Sequence, residues 1–143
     1  MKIPKTTGLI IAFFFALIIS DQAYAVRLKI ATLSPDGSVW MEKMREGAEE
    51  IARKTENRVK IRYYPGGVMG DDKTVLQKIR IRQLHGGAVV SSAMAQFFPD
   101  IQIYNLPMTF RSFEEVDKVR EAMDPLLMKG LEEKGFVTLG IAE

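Results

Sequence analysis

Tyr64–Ser92 reads YPGGVMGDDKTVLQKIRIRQLHGGAVVSS, and the fold class follows from this stretch. An alternating run ends in Pro65-Gly66-Gly67, a loop reaches Gly70, and a helix is expected to start at Asp71 or Asp72. The helix should run to about Leu84 and stop at Gly86-Gly87. The apolar Ala88-Val89-Val90 then leads into Ser91 and Ser92. This is one helix-to-strand step of an open sheet, with polar groups at the carboxyl ends of the strands, where ligands of such sheets bind. The pattern gives a fold class and not a function.

Working back toward the amino terminus, Val59, Ile61 and Tyr63 alternate with Lys60, Arg62 and Tyr64. One face is wetter than the other, which predicts a strand near a sheet edge. Before it, Trp40, Met44, Ala48, Ile51 and Ala52 recur at helical spacing among charges, with Ser38 placed to cap the first turn. Val26–Leu33 alternates as a first strand and is stopped by Ser34-Pro35-Asp36-Gly37. Toward the carboxyl terminus, Ala88–Val90 reads as a central, doubly covered strand. Ser91–Gln96 makes a short connection and Ile101–Leu106 is expected to be extended. Ser112-Phe113-Glu114-Glu115 forms a capping box, and Asp124-Pro125 restarts a helix that Gly135 stops. Phe136–Ile141 is expected to be a last strand. The order is α/β with a mostly parallel sheet flanked by helices.

The first 25 residues do not belong to this fold. Lys2 and Lys5 precede the apolar run Leu9–Ile19, and Ala23-Tyr24-Ala25 follows as a small-residue cleavage site. That is the order of a secretory signal. The run is shorter than the roughly 20 apolar residues of a membrane span. The expectation is a cleavable signal peptide at 1–25, export to the periplasm, and an α/β lobe at 26–143.

Composition excludes several functions. The 143 residues are 47% hydrophobic and 27% charged, with a net charge of +2. Such a balance offers no broad basic surface for nucleic acid. There is no cysteine and one histidine, His85, so thiolate zinc sites, disulfide frameworks and imidazole metal clusters are all excluded. His85 and Ser91 lack a third orienting group and a nucleophile elbow, so no hydrolytic triad is present. The chain is read as a non-enzyme without cofactor or metal.

Four stretches carry a family resemblance: LKIATLSPDGSVW at Leu28–Trp40, YPGGVMGDDK at Tyr64–Lys73, QLHGGA at Gln83–Ala88 and NLPMTFRSFEEV at Asn105–Val116. In this order and spacing they resemble the solute-binding protein of tripartite ATP-independent periplasmic (TRAP) transporters, of the C4-dicarboxylate-binding type. The resemblance implies a periplasmic-binding-protein-like clamp of two lobes, closing on an organic acid and delivering it to the membrane permease subunits. Members of that family are roughly twice this length or more, as two-domain chains are. The chain is therefore expected to be an incomplete first lobe, with the second half absent. The family's substrate-pairing arginine belongs to that second half, and no arginine here takes its role.

The resemblance also implies which residues face the cleft: Leu33 and Ser34 after the first strand, Ser38 and Trp40 beside them, Asp72 opening the second helix, and Val90, Ser91 and Ser92 after the third strand. Leu33 and Val90 stand where some relatives carry polar ligand contacts, which argues against a sugar acid. His85 stands where an aspartate is common. Each of these positions has a simpler reading. Asp71-Asp72 suits helix capping, Ser91-Ser92 suits local backbone bonding, and Trp40 on the apolar stripe suits the core. Lys78, Arg80 and Arg82 read as a solvated helix face. The alternative to a transport protein is a stand-alone secreted α/β interaction or regulatory domain.

Overall fold

The computed structural model describes residues 25–141; the expected signal peptide lies outside them apart from Ala25. Three parallel strands form one sheet in the order β2-β1-β3: β1 Val26–Thr32, β2 Val59–Tyr64 and β3 Gly86–Ala88. Val26 pairs with Val59 and Ala31 with Tyr64, while Ile30–Thr32 pair with Gly86–Ala88. Parallel neighbours need a crossover. Helix α1 (Val39–Lys54) supplies the first and α2 (Asp72–Arg80) the second. After β3 come one turn of helix, α3 (Ser91–Met94), a 3-10 helix (Pro99–Asn105) and a long α4 (Phe113–Glu133).

The edge position of β2 is as expected, but β1 is the central strand and the short β3 lies at the other edge of this sheet. The β3 ladder is made by Gly86, Gly87 and Ala88, two residues before the expected Ala88–Val90. A side chain on Gly87 would collide with Val75 Cγ1 of α2, so glycine lets α2 and β3 approach.

Helix ends explain most of the differences in boundaries. In α1, Glu56 takes a left-handed conformation (φ 52°), and the amides of Glu56 and Asn57 reach back to the Arg53 and Ala52 carbonyls. In α2 the same pair of bonds runs from Arg82 (φ 61°) and Gln83 to Ile79 and Lys78. Both are Schellman closures, made here without glycine. This is why α2 ends at Arg80 and does not run to Leu84. Leu84 instead drops into the core beside Ala31 and Val75. Gly135 closes α4 in the same way, with Phe136 bonded to the Leu131 carbonyl.

Other departures are local. Ile101–Leu106 is not extended: Pro99–Asn105 is a 3-10 helix that buries Ile101. Pro125 does not restart a helix but sits inside α4, where its missing N–H costs one backbone bond. The Ser112 hydroxyl accepts from Glu115 N at 3.3 Å, but Glu115 returns to the Arg111 amide rather than to Ser112. Phe136–Ile141 forms no strand. It has no strand neighbour among the described residues, and a lone strand has no ladder to hold it. Along α4, Phe113 and Leu126 are exposed, whereas Leu127 and Leu131 are buried.

The core has two parts. Ala31, Val75 and Leu84 join α2 to the sheet. Leu76, Ala93, Met94, Ile101, Leu127 and Leu131 join α2, α3, the 3-10 helix and α4. Tyr104 Oη donates to Asp124 Oδ1 at 2.5 Å, and Arg120 pairs with the other oxygen at 3.2 Å. The Tyr104 bond holds the 3-10 helix against α4, and the Arg120 pair lies within α4.

Candidate functional site

Parallel strands bring their carboxyl ends to one edge. Thr32 lies beside Ala88 in the ladder, so the chain leaves β1 and β3 side by side. Leu33-Ser34 follows one strand and Val89–Ser92 the other. The loop after β2 folds over the same edge: Gly66 N donates to Ser34 O at 2.8 Å and Gly67 N to Thr32 O at 3.2 Å. Gly67 lies so close to Leu33 that a Cβ there would sit 3.2 Å from Leu33 Cδ2.

The β1–α1 loop is held from both sides. Arg45 Nη2 reaches Asp36 Oδ1 at 2.6 Å, and this hydrogen bond and charge hold the Asp36 carboxyl below its ordinary range. The Ser38 hydroxyl accepts from Met41 N at 3.3 Å, the capping bond that the sequence implied. Trp40 is 44% exposed in the first turn of α1, and the neighbouring Met41 fills the core instead. Met44, Ala48 and Ala52 of the stripe read in the sequence are half-buried as expected, with Met41 in place of Trp40. Ile51 is exposed as well.

The two aspartates opening α2 have different surroundings. Asp71 is the N-cap and accepts from Thr74 N at 2.8 Å; that bond lowers its carboxyl from the ordinary value. Asp72 is buried, at 7% exposure. Its Oδ2 accepts from Val90 N at 3.2 Å, and its Oδ1 has no hydrogen-bond partner among the described residues. A buried carboxylate oxygen left unpaired costs about 1–3 kcal/mol, so its presence calls for a reason. Asp72 ties the start of α2 to the chain leaving β3, across 18 residues.

That exit segment carries the remaining candidates. Val90 is 56% exposed and Ser92 is exposed; Ser91 is half-buried. Ser91 Oγ accepts from Asn105 Nδ2 at 2.7 Å. The Ser91 hydroxyl hydrogen stays available to donate. Asn105 was not singled out from the sequence. It lies 14 residues away at the end of the 3-10 helix, and no local pattern announces that pairing. Lys78 was read as outward-facing, but its Nζ bonds the Met69 carbonyl at 2.8 Å and braces the loop after β2. A Cβ on Gly70 (φ 99°) would strike Thr74, so this loop also needs glycine where it enters α2.

His85 is away from this edge. Its Nδ1 accepts from Lys29 N at 3.1 Å, and its own N donates to Lys29 O at 2.9 Å. The position needs an acceptor for a strand amide. An imidazole with its proton on Nε2 meets that need.

The arrangement offers an edge of exposed apolar side chains, two serine hydroxyls and backbone amides, organised by one buried carboxylate. Among the described residues, no group of three or more His, Cys, Asp or Glu side chains is placed to hold a metal ion, and no helix is long and apolar enough to cross a membrane.

Known proteins are similar to this chain in sequence and fold. The C4-dicarboxylate-binding periplasmic protein DctP of Rhodobacter capsulatus is 30% identical over 97 residues, covering 64% of this chain and 28% of that protein. A TRAP periplasmic solute binding protein from Sulfurospirillum deleyianum, solved with bound succinate, superposes with a TM-score of 0.73 at 19% identity, covering 81% of this chain and 38% of that one. One from Sulfitobacter, with bound beta-D-galacturonate, gives 0.69 at 27% identity, covering 80% and 39%. The chain spans under a third of the length of the curated relatives it matches. The sequence pattern of the DctP family matches residues 30–143. The chain belongs to that family, the bacterial extracellular solute-binding proteins of family 7.

Proposed function

We propose that this chain is the ligand-facing part of the first lobe of an extracytoplasmic solute-binding protein. In this reading residues 1–25 are a signal peptide cut after Ala25, and 26–143 form the amino-terminal lobe in the periplasm. The protein binds a short organic acid and hands it to the membrane permease subunits of a TRAP-type secondary transporter, without chemical turnover. Leu33, Ser34, Ser38, Trp40, Asp72, Val90, Ser91 and Ser92 make this lobe's side of the cleft.

The observation that carries the reading is the carboxyl edge itself. Buried Asp72 holds Val90 N and so presents Ser91 and Ser92 beside Leu33-Ser34. The two serines donate to a carboxylate oxygen of the ligand, and the exposed Leu33 and Val90 contact its carbon chain. Asp72 acts by positioning, through the bond that Val90 N donates to its Oδ2, and Ser38 by capping α1. Relatives crystallised with succinate and with D-erythronate support an organic acid as the ligand class. Leu33 and Val90 favour the less hydroxylated members of that class.

Calorimetry on the complete exported polypeptide, against a panel of organic acids, tests this. One acid should bind at one site per protein and be recovered unchanged. Absence of binding across the panel, or steady product formation from any member, would refute the proposal.

A further inference from the structure

A serine hydroxyl carries one proton and two lone pairs and turns among three staggered positions, so by itself it serves a donor or an acceptor. The serines at the helix starts differ in how that choice is made. Ser38 and Ser112 are N-caps, and their oxygens accept from the amides of Met41 and Glu115. Ser91 is instead the first residue of α3, whose N-cap Val90 makes no side-chain capping bond. The Ser91 Oγ accepts from Asn105 Nδ2 at 2.7 Å, and its own proton has no acceptor among the described residues.

Asn105 is firmly placed. It ends the 3-10 helix, whose buried Ile101 packs in one cluster with Ala93 and Met94 of α3 and Leu127 and Leu131 of α4. The adjacent Tyr104 is tied to Asp124. These contacts already join the 3-10 helix to α3, so the exposed Asn105–Ser91 bond is not needed to bring the two together. We infer that Asn105 is a positioning residue: it fixes Ser91 as a donor and so commits this part of the ligand edge to an acceptor such as a carboxylate. The inference rests on the ligand edge proposed above. An amide nitrogen gives protons and accepts none. With Nδ2 against Oγ, the Ser91 proton has no partner in Asn105 and points to one of the other positions of its rotor. Donation into Oγ also polarises the O–H bond and strengthens its hold on an anion. An acceptor at position 105 would do the reverse, drawing the Ser91 proton to itself and turning lone pairs toward the ligand.

A double-mutant cycle on the complete exported polypeptide tests this. Calorimetry reads it, with the acid of the panel above that binds the parent best. S91A should lose about 10- to 100-fold in affinity, as expected for one hydrogen bond to a charged group. N105A frees the rotor and should lose about threefold, but no more than about 1.5-fold in an S91A background. N105D offers only acceptors at the same place and should lose about 30-fold or more. In the S91A background only repulsion through space remains, and its loss should be smaller by about fivefold or more. All variants should melt within about 3 °C of the parent. If N105D does not fold, N105A carries the comparison. A brace for the fold alone would lower the melting temperature and cost the same in both backgrounds. Equal losses in the two backgrounds would therefore overturn the inference while leaving the ligand edge standing. S91A binding as tightly as the parent, or no acid bound by the parent, would overturn the ligand edge and the inference with it.

Discussion

Replacing Asp72 separates two ways in which it can serve the ligand edge. Its Oδ2 accepts from Val90 N, and its Oδ1 is sealed from solvent without a hydrogen-bond partner among the described residues. Asp72→Asn keeps an oxygen for Val90 N and removes the buried charge. Asp72→Ala removes the acceptor and leaves the amide unpaired. A hydrogen bond to a charged group contributes about 1.5–3 kcal/mol. The first-turn charge on α2 adds about 0.3–1 kcal/mol through the helix dipole. Deleting the unpartnered oxygen returns part of its cost, so the net loss for Asp72→Ala should be about 1–2 kcal/mol. Asp72→Asn should stay within about 1 kcal/mol of the parent. Urea melts of the intact protein measure both. Affinity for the best organic acid should fall about tenfold in Asp72→Ala, because Val90–Ser92 is no longer held; this equals about 1.4 kcal/mol. Asp72→Asn should bind within about threefold. If Asp72→Asn loses affinity as severely as Asp72→Ala while its stability is unchanged, the carboxylate charge touches the ligand and the positioning argument fails.

Gly130→Ala should destabilise the protein by about 1–2 kcal/mol in urea melts, although alanine favours helix by about 1 kcal/mol. Its Cβ would come within 2.8 Å of three Phe98 ring carbons, and a gain in stability would show that this packing is loose. Asp71→Ala should be less stable than the parent at pH 7, by a gap that narrows as pH falls through and below the ordinary carboxylate value of 3.8. The folded-state value is lowered, so the contribution is present above that range and lost beneath it; a pH-independent gap in thermal melts would contradict this. Amino-terminal sequencing of the exported protein should begin at Val26, and a start at Met1 in soluble material would refute cleavage after Ala25.

The sheet was legible because its signals are local. Alternation in Val59–Tyr64, the Pro65-Gly66-Gly67 turn and the Ser38 cap each act within a few residues, and each is present as read. Helix ends were harder to place. Glu56 and Arg82 adopt the left-handed conformation usually left to glycine, so the rule that places a stop at glycine overran α2. Tertiary contacts decided Trp40 against Met41: both suit an apolar stripe, and only the angle at which α1 meets the sheet chooses between them. At the ligand edge, the capping role of Ser38 was visible from spacing alone. The Asp72–Val90 and Ser91–Asn105 bonds span 18 and 14 residues, and no periodicity encodes them.

The central claim is that an organic acid sits against the carboxyl edge of this sheet. A crystal structure of the intact protein with its best-binding acid tests it most directly. The account predicts a carboxylate oxygen within hydrogen-bond distance of the Ser91 or Ser92 hydroxyl, and the ligand's carbon chain against Leu33 and Val90. An acid bound with no atom near Leu33-Ser34 or Val90–Ser92 would contradict it.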